Sequence, residues 1–343
     1  MDEKTKIRAA ILGYGRNGST MHADAIEKSD DFELTHVCDI DSEALDRAKR
    51  RFGCETYDDY RQMAKEKDID LVVIVTRSSH HCEMACECLG AGKNVLVTKP
   101  WATNAGQAEK MIAAANESGS MLLPWLPARW GADLVRLREL VGSGVIGKVF
   151  RVKRSHQIFS VRHDWQTQKE YGGGYLLNWG PHLIDQPIQL AGSPVKSVYA
   201  ELRQVINPND GEDDFFAVMK TQDGTTLISE HSVSAPKLPD WVIQGDRGTI
   251  FVEGNKIEIH KANPVESKNA AGYGTSFEFD TYIDEKTLGY GDLYGNTDRI
   301  YSHIAEALRG QAPYCVTPES ALCLTRVLDA VRSSGETGQV VYL

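Results

Sequence analysis

Short apolar runs without internal alternation recur through the first third of the chain, each followed by a segment of helical length. The runs are Ile7 to Leu12, Leu34 to Cys38, Asp70 to Val75, Asn94 to Val97 and Met121 to Leu123. A short run of this kind reads as a strand buried on both faces. Between them lie helix-compatible stretches: Ser19 to Lys28, Ser42 to Phe52 stopped by Gly53, His80 to Leu89 before Gly90, and an Ala-rich helix from Thr103 to about Gly119. Ser42 and Thr103 are read as N-caps, whose hydroxyls accept from the free N–H groups of a first turn. Strand and helix in alternation predict a doubly wound parallel sheet with right-handed crossovers, a Rossmann domain over residues 1–123.

The pattern changes after Pro124 and Pro127. A helix from about Ala132 to Val141 precedes longer strands that alternate. In Lys148 to His156, Phe150 and Val152 alternate with Arg151 and Lys153; in Lys196 to Arg203, Val198, Ala200 and Leu202 alternate with Tyr199, Glu201 and Arg203. Similar runs occupy Phe215–Thr221, Thr225–His231, Trp241–Gln244, Thr249–Val252 and Lys256–His260. Period two means one buried and one wet face, hence an open, mostly antiparallel sheet. Ala262 to Gly274 reads as a polar loop, and helices at Thr297–Leu308 and Pro318–Ser333 close the chain. The expected fold class is therefore α/β: a Rossmann doubly wound parallel sheet, then an α+β domain over 124–343.

Composition narrows the partners. The 343 residues suffice for two domains, and 41% hydrophobic with 25% charged residues is globular. A net charge of −10 with scattered Lys and Arg argues against nucleic acid and anionic membrane. No apolar run approaches the ~20 residues of a membrane span, and the polar start carries no signal peptide, so a cytoplasmic location is expected. The seven cysteines form no C-x-x-C and are read as reduced, structural thiols. His80, His81 and Cys82 are adjacent on a helix and point in different directions, so no metal site is expected.

The first apolar run feeds straight into Gly13-Tyr14-Gly15-Arg16-Asn17-Gly18, a G-x-G-x-x-G opening a helix. The second run ends at Asp39, 21 residues past Gly18. In this context the motif is a dinucleotide fingerprint. Gly13 makes the tight turn, Gly15 admits the pyrophosphate, Gly18 lets the helix pack, and the helix N-terminus faces the phosphates. Asp39 would accept from both ribose hydroxyls and repel a 2′-phosphate, which favours NAD(H) over NADP(H).

Two further segments carry a family likeness. One is Thr76-Arg77-Ser78-Ser79-His80-His81 followed by Gly90 to Pro100, ending Thr98-Lys99-Pro100; the other is Gly172-Gly173-Gly174-Tyr175-Leu176-Leu177-Asn178-Trp179-Gly180-Pro181-His182-Leu183-Ile184-Asp185. With the N-terminal glycines they resemble the glucose–fructose oxidoreductase / inositol dehydrogenase family (Gfo/Idh/MocA) over nearly the whole chain, and Gly-Pro-His-Leu-Ile-Asp-Gln is similar to its scyllo-inositol dehydrogenase branch. The family's Glu-Lys-Pro reads Thr98-Lys99-Pro100 here, its Thr-Pro-Asn reads Thr76-Arg77-Ser78, and its Asp four residues before the histidine is Asn178. Some nucleotide-sugar 3-dehydrogenases of the family are similar in carrying Asn there.

The resemblance implies an NAD-dependent dehydrogenase or reductase acting on a sugar, inositol or sugar derivative. It places Ile40, Thr76, Arg77, Ser78, His81, Thr98 and Lys99 with the glycine loop against the cofactor, and Lys99, His182 and Asn178 in catalysis. It also implies a homodimer or homotetramer joined through the C-terminal sheet. Read from the residues, His182 is a base whose ordinary pKa lies near working pH, and Asn178 hydrogen-bonds it without adding charge. Lys99 polarises the carbonyl, and beside a cationic nicotinamide it shares the proton work. Asp185 is a candidate to orient His182. Trp130, Trp165, Arg129 and Asp164 are candidate substrate contacts, with most of the tryptophans expected in the core. A nucleotide-sugar 3-dehydrogenase and a catalytically silent NAD-binding regulator are the alternatives.

Overall fold

The computed structural model describes residues 5–233, 238–265, 276–284 and 294–343. The chain divides into two units: Met1–Pro127 with Gln168–Gly173 and Asn296–Asp329, and Ala128–Thr167 with Gly174–Gly295 and Ala330–Leu343.

The first unit opens with β1 (Ile7–Leu12), then a π-helical turn Gly18–His22 that runs into α1 (Ala23–Lys28). There follow β2 (Phe32–Cys38), α2 (Ser42–Phe52), β3 (Glu55–Tyr57), α3 (Tyr60–Met63), β4 (Leu71–Ile74), α4 (His81–Gly90), β5 (Asn94–Val97), α5 (Ala105–Ser118) and β6 (Leu122–Pro124). The six strands pair in parallel in the order β3-β2-β1-β4-β5-β6. Every residue of β4 is buried, as its unbroken apolar run requires. The strand order reverses between β1 and β4, and ligands of open α/β sheets bind at the carboxyl ends of such a switch point.

The helix caps differ from expectation by one residue. Asp41, not Ser42, caps α2, its carboxylate accepting from the Glu43 N–H at 3.0 Å. Asn104, not Thr103, caps α5: its Oδ1 accepts from the Gln107 N–H at 3.0 Å while Gln107 Oε1 takes the Thr103 N–H at 3.1 Å. A carboxylate and an amide oxygen take the second and third N–H groups here, Asp41 one residue before the expected hydroxyl and Asn104 one residue after it.

The second unit contains α6 (Ala132–Gly142), β7 (Val149–Gln157), α7 (Tyr175–Leu183), α8 (Asp185–Ala191) and β8 (Val195–Arg203). It continues with β9 (Asp214–Thr221), β10 (Thr226–Ser232), β11 (Trp241–Gly245), β12 (Gly248–Glu253), β13 (Lys256–Val265) and β14 (Ser276–Ile283). The chain closes with α9 (Thr297–Leu308), α10 (Pro318–Thr337) and β15 (Val341–Tyr342). Nine strands order as β14-β13-β12-β11-β7-β10-β9-β8-β15, all antiparallel neighbours except the parallel pair β7 and β10. On β9 and β10 alternate residues are fully buried, Phe215, Ala217 and Met219 beside Leu227, Ser229 and His231.

Two expectations are corrected. The segment read as a loop from Ala262 continues β13 to Val265, while 266–274 lies outside the described residues, and β14 stands beyond it unanticipated. The closing helix α9 belongs to the first unit: Tyr301 meets Phe32 edge-on at 5.3 Å and its hydroxyl meets His22 Nδ1 at 2.9 Å. Its apolar stripe fixes that it packs, not on which neighbour.

Candidate active site

The glycine loop follows from steric necessity at two of its three glycines. Gly13 sits at φ +98°, and a Cβ there would stand 2.8 Å from the Val75 carbonyl oxygen just past β4. At Gly18 a Cβ would lie 2.0 Å from the Gly13 carbonyl oxygen. Gly15 is different: nothing lies within 4 Å of where its Cβ would be. The protein's own packing demands Gly13 and Gly18, whereas Gly15 opens onto space of the kind a pyrophosphate fills.

Asp39 ties this loop to the end of β2. Its Oδ2 accepts the Tyr14 N–H at 2.6 Å and its Oδ1 the Asp41 N–H at 2.9 Å. Each oxygen retains acceptor capacity for a ribose hydroxyl. The Tyr14 ring is buried, so Tyr14 serves the loop through its backbone. Arg16 and Asn17 stand exposed at the crest, joined at 3.4 Å, and the Ile40 side chain is 93% exposed. Among the described residues the donor set fits a dinucleotide: a glycine cradle, an open third glycine and a carboxylate at the ribose end.

At the carboxyl ends of β4 and β5 the loops are laced together. Thr98 Oγ1 donates to the Ile74 carbonyl at 2.8 Å. His81 is 1% exposed, with Nδ1 2.9 Å from the Pro100 oxygen and Nε2 3.1 Å from the Thr76 oxygen. Burial lowers its pKa, against the two carbonyls, which raise it. Both nitrogens face protein carbonyls. His81, expected at the cofactor, bridges the loop of Thr76 and the Pro100 carbonyl. Lys99 is half-buried and precedes Pro100 in a cis peptide. The Arg77 guanidinium lies 4.1 Å from the centre of the Tyr171 ring. Ser78 is buried, and a Cβ on Gly172 (φ +73°) would come within 2.9 Å of Ser78 Cβ and 3.0 Å of Thr103 Cγ2. Only glycine lets the 168–173 segment close on these loops.

In the second unit α7 carries Asn178 and His182, one turn apart on one face. The helix starts at Gly174 (φ +103°), where a Cβ would strike the Glu212 carboxylate at 2.3 Å. Glu212 caps it, its carbonyl taking the Tyr175 N–H at 2.7 Å and its carboxylate the Leu176 N–H at 3.1 Å. His182 is fully buried, with Tyr294 edge-on at 4.8 Å and Trp179 at 6.4 Å.

Sequence reasoning missed two imidazoles beside Trp179. His156 on β7 and His231 on β10 are register partners, their rings 5.2 Å apart. His156 stacks on Trp179 at 3.9 Å. Burial pushes His156 down to about 4 and His231 down to about 3, so both are neutral near pH 7. The Asp213 carbonyl, 3.1 Å from His231 Nδ1, takes that N–H and leaves Nε2 as a bare acceptor. Neither His231 Nε2 nor His156 Nδ1 has a hydrogen-bond partner among the described residues. The signal was the inward parity of both positions, but their adjacency arises only from strand pairing.

Arg129, expected at substrate, and Asp185, expected at His182, bind each other. Arg129 Nε and Nη2 donate to the Asp185 carboxylate at 2.8 and 2.9 Å, both residues buried. The pair links the turn Pro127–Trp130 to α8. Trp130 and Trp165 are half-buried, and Asp164 is exposed and paired with Arg162 at 2.6 Å. Trp101 and Trp125 are core residues, Trp101 Nε1 donating to Thr325 Oγ1 at 2.9 Å.

Comparison with known proteins agrees with this anatomy. Residues 7–124 match the oxidoreductase family, NAD-binding Rossmann fold, and residues 134–251 match the GFO/IDH/MocA C-terminal domain. The chain is 24% identical to the scyllo-inositol 2-dehydrogenase (NADP(+)) IolW of Bacillus subtilis, over 98% of this chain and 96% of that one. It is 25% identical to the myo-inositol 2-dehydrogenase of Thermotoga maritima, over 72% and 75%. The crystal structure of the WlbA dehydrogenase from Bordetella pertussis in complex with NADH and UDP-GlcNAcA superposes with a TM-score of 0.82 at 25% identity, covering 98% of each chain. The chain belongs to the Gfo/Idh/MocA family of oxidoreductases, as a dehydrogenase acting on CH–OH groups.

Proposed function

We propose that this chain moves a hydride between NAD(H) and the hydroxyl or carbonyl carbon of a sugar, inositol or sugar derivative, with Lys99 and His182 handling the proton. The observation that carries the reading is α7: Asn178 and His182 share one face, beside Trp179 and two neutral imidazoles with unspent nitrogens. Bound nicotinamide supplies the hydride acceptor or donor at such a site. His182 takes or returns the hydroxyl proton, and Asn178 orients it without adding charge. Lys99 holds the substrate oxygen by a charged donor. Trp179 offers a face to ring C–H groups, while His156 and His231 accept from or donate to hydroxyls. Trp130, Trp165 and Asp164 remain candidates for the remaining substrate contacts.

NAD(H) is preferred over NADP(H), because the Asp39 carboxylate would face a 2′-phosphate with like charge. The likeness to IolW, named for NADP(+), makes this a sharp test. Fluorescence titration is expected to give tighter binding of NADH than of NADPH; the reverse order would remove the role given to Asp39. A panel of inositols, sugars and nucleotide sugars with NAD, read by nicotinamide absorbance, tests the activity. A nucleotide sugar is the second reading, favoured by Asn178 and the likeness to WlbA. No turnover with any of them, alongside tight NADH binding, favours a regulator.

Self-association through the nine-stranded sheet completes the proposal. Residues of outward parity form two apolar clusters, Tyr199, Val218 and Ile228 on one side and Val242 with Phe251 on the other, all half-buried or exposed, with Lys153 of β7 between them. Such patches mark interfaces. Light scattering is expected to give a dimer or tetramer, and V218K with I228K a monomer. Among the described residues no helix is long and apolar enough to cross a membrane.

A further inference from the structure

Away from the cofactor loops, three ligand-type side chains converge near the edge of the first unit's sheet. His36 lies on β2, and Glu66 and Asp68 lie between α3 and β4; their ligating atoms all stand within 4.8 Å of one another. One arrangement of the hydrogen bonds at Thr35 turns an imidazole lone pair toward the acids. With the Thr35 hydroxyl proton given to the Ala9 carbonyl at 3.3 Å, its oxygen accepts the His36 Nδ1–H at 2.8 Å. Nε2 is then a bare lone pair. It points at Asp68 Oδ1 from 3.8 Å, on a side chain only 4% exposed. That lone pair and the two carboxylates converge, and 3.8 Å is no hydrogen bond.

Arg8 engages Asp68 through Oδ2 and reaches Glu33 at 4.0 Å. The Tyr57 hydroxyl donates to Glu66 Oε1 at 3.0 Å, with its ring stacked on His36 at 5.9 Å. The Lys93 ammonium goes to the Glu66 backbone carbonyl. Glu55, the register partner of His36 on β3, adds negative charge. Asp68 Oδ1 and the Glu66 carboxylate are left facing the nitrogen.

We propose that His36, Glu66 and Asp68 bind a first-row divalent cation, with Zn2+ as the reference ion. One imidazole and two carboxylates with positions open to water form a nitrogen–oxygen set that suits zinc, whereas Ca2+ and Mg2+ prefer oxygen alone. Tetrahedral zinc places its ligand atoms about 3.4 Å apart, so the acids, one half-exposed and one exposed, need only close around the fixed imidazole. The ion would clamp β2 to the segment leading into β4, three residues before Asp39.

The test uses the full chain stripped with chelator. Zinc is titrated in competition with a chromophoric chelator, cobalt is followed by its visible d–d bands, and melting temperature is read with and without zinc. One zinc per chain is expected, with a higher melting temperature. D68N and E66Q should each weaken zinc at least tenfold while leaving the metal-free melting temperature and NADH affinity unchanged; H36Q should abolish binding. Absence of binding at up to 100-fold excess of zinc over protein would overturn the proposal. So would a stoichiometry that all three variants keep, or a near-ultraviolet cobalt charge-transfer band, which would assign the ion to cysteine.

Discussion

Gly13 and Gly15 are chemically identical and carry different obligations. G13A puts a methyl 2.8 Å from a backbone oxygen in a left-handed conformation, and a loss of about 1–3 kcal/mol is expected by chemical denaturation. G15A meets nothing within 4 Å, so its melting temperature should stay within about 1 °C of wild type while the NADH dissociation constant rises at least about tenfold. A variant that binds NADH normally would mean that no pyrophosphate lies there. At α7, N178D adds a carboxylate one turn from His182. It stabilises the imidazolium, so the limb of the kcat/KM profile that reports the base should move to higher pH. An unmoved limb would detach Asn178 from His182.

Elements, rather than single contacts, aim these residues. Glu212 satisfies the first N–H groups of α7 and fills the space that Gly174 leaves. E212A should cost about 1 kcal/mol and lower kcat, with NADH affinity unchanged, since the helix it caps carries Asn178 and His182. The glycine loop was legible in sequence because backbone geometry there admits one residue type. His156 and His231 were not, because parallel pairing of β7 with β10 joins positions far apart in the chain. The Arg129–Asp185 pair was not legible for the same reason: the two residues lie far apart in the chain, and nothing local joins them. Phe277 and Phe279 alternate with Glu278 and Asp280, so β14 had a strand signal, but it borders a polar stretch and its described pairing is with β13 alone.

For the whole molecule, parallel and antiparallel sheets were readable because burial on two faces and on one leave different periods, as β4 and β9 show. The return of α9 to the first unit was not, since an apolar stripe names no partner. Both units bury imidazoles. Burial drives His22 to about 3, His231 to about 3 and His156 to about 4, against about 6.5 in the unfolded chain. Below pH 6.5 the unfolded chain therefore takes up protons that the folded chain refuses. Stability is fully present above that value and falls as pH drops toward 4, by up to about 1.4 kcal/mol per pH unit for each imidazole. Melting curves at pH 7.5 and 5.5 should show the drop, and H22Q should narrow it. The central claim, that Lys99 and His182 perform proton transfer beside a bound nicotinamide, is tested most directly by single-turnover absorbance with a substrate from the polyol and nucleotide-sugar panel. Wild type should reduce bound NAD in one phase, whereas K99A and H182A lose at least about a thousandfold in that rate and keep NADH affinity. An undiminished rate in both variants would contradict it.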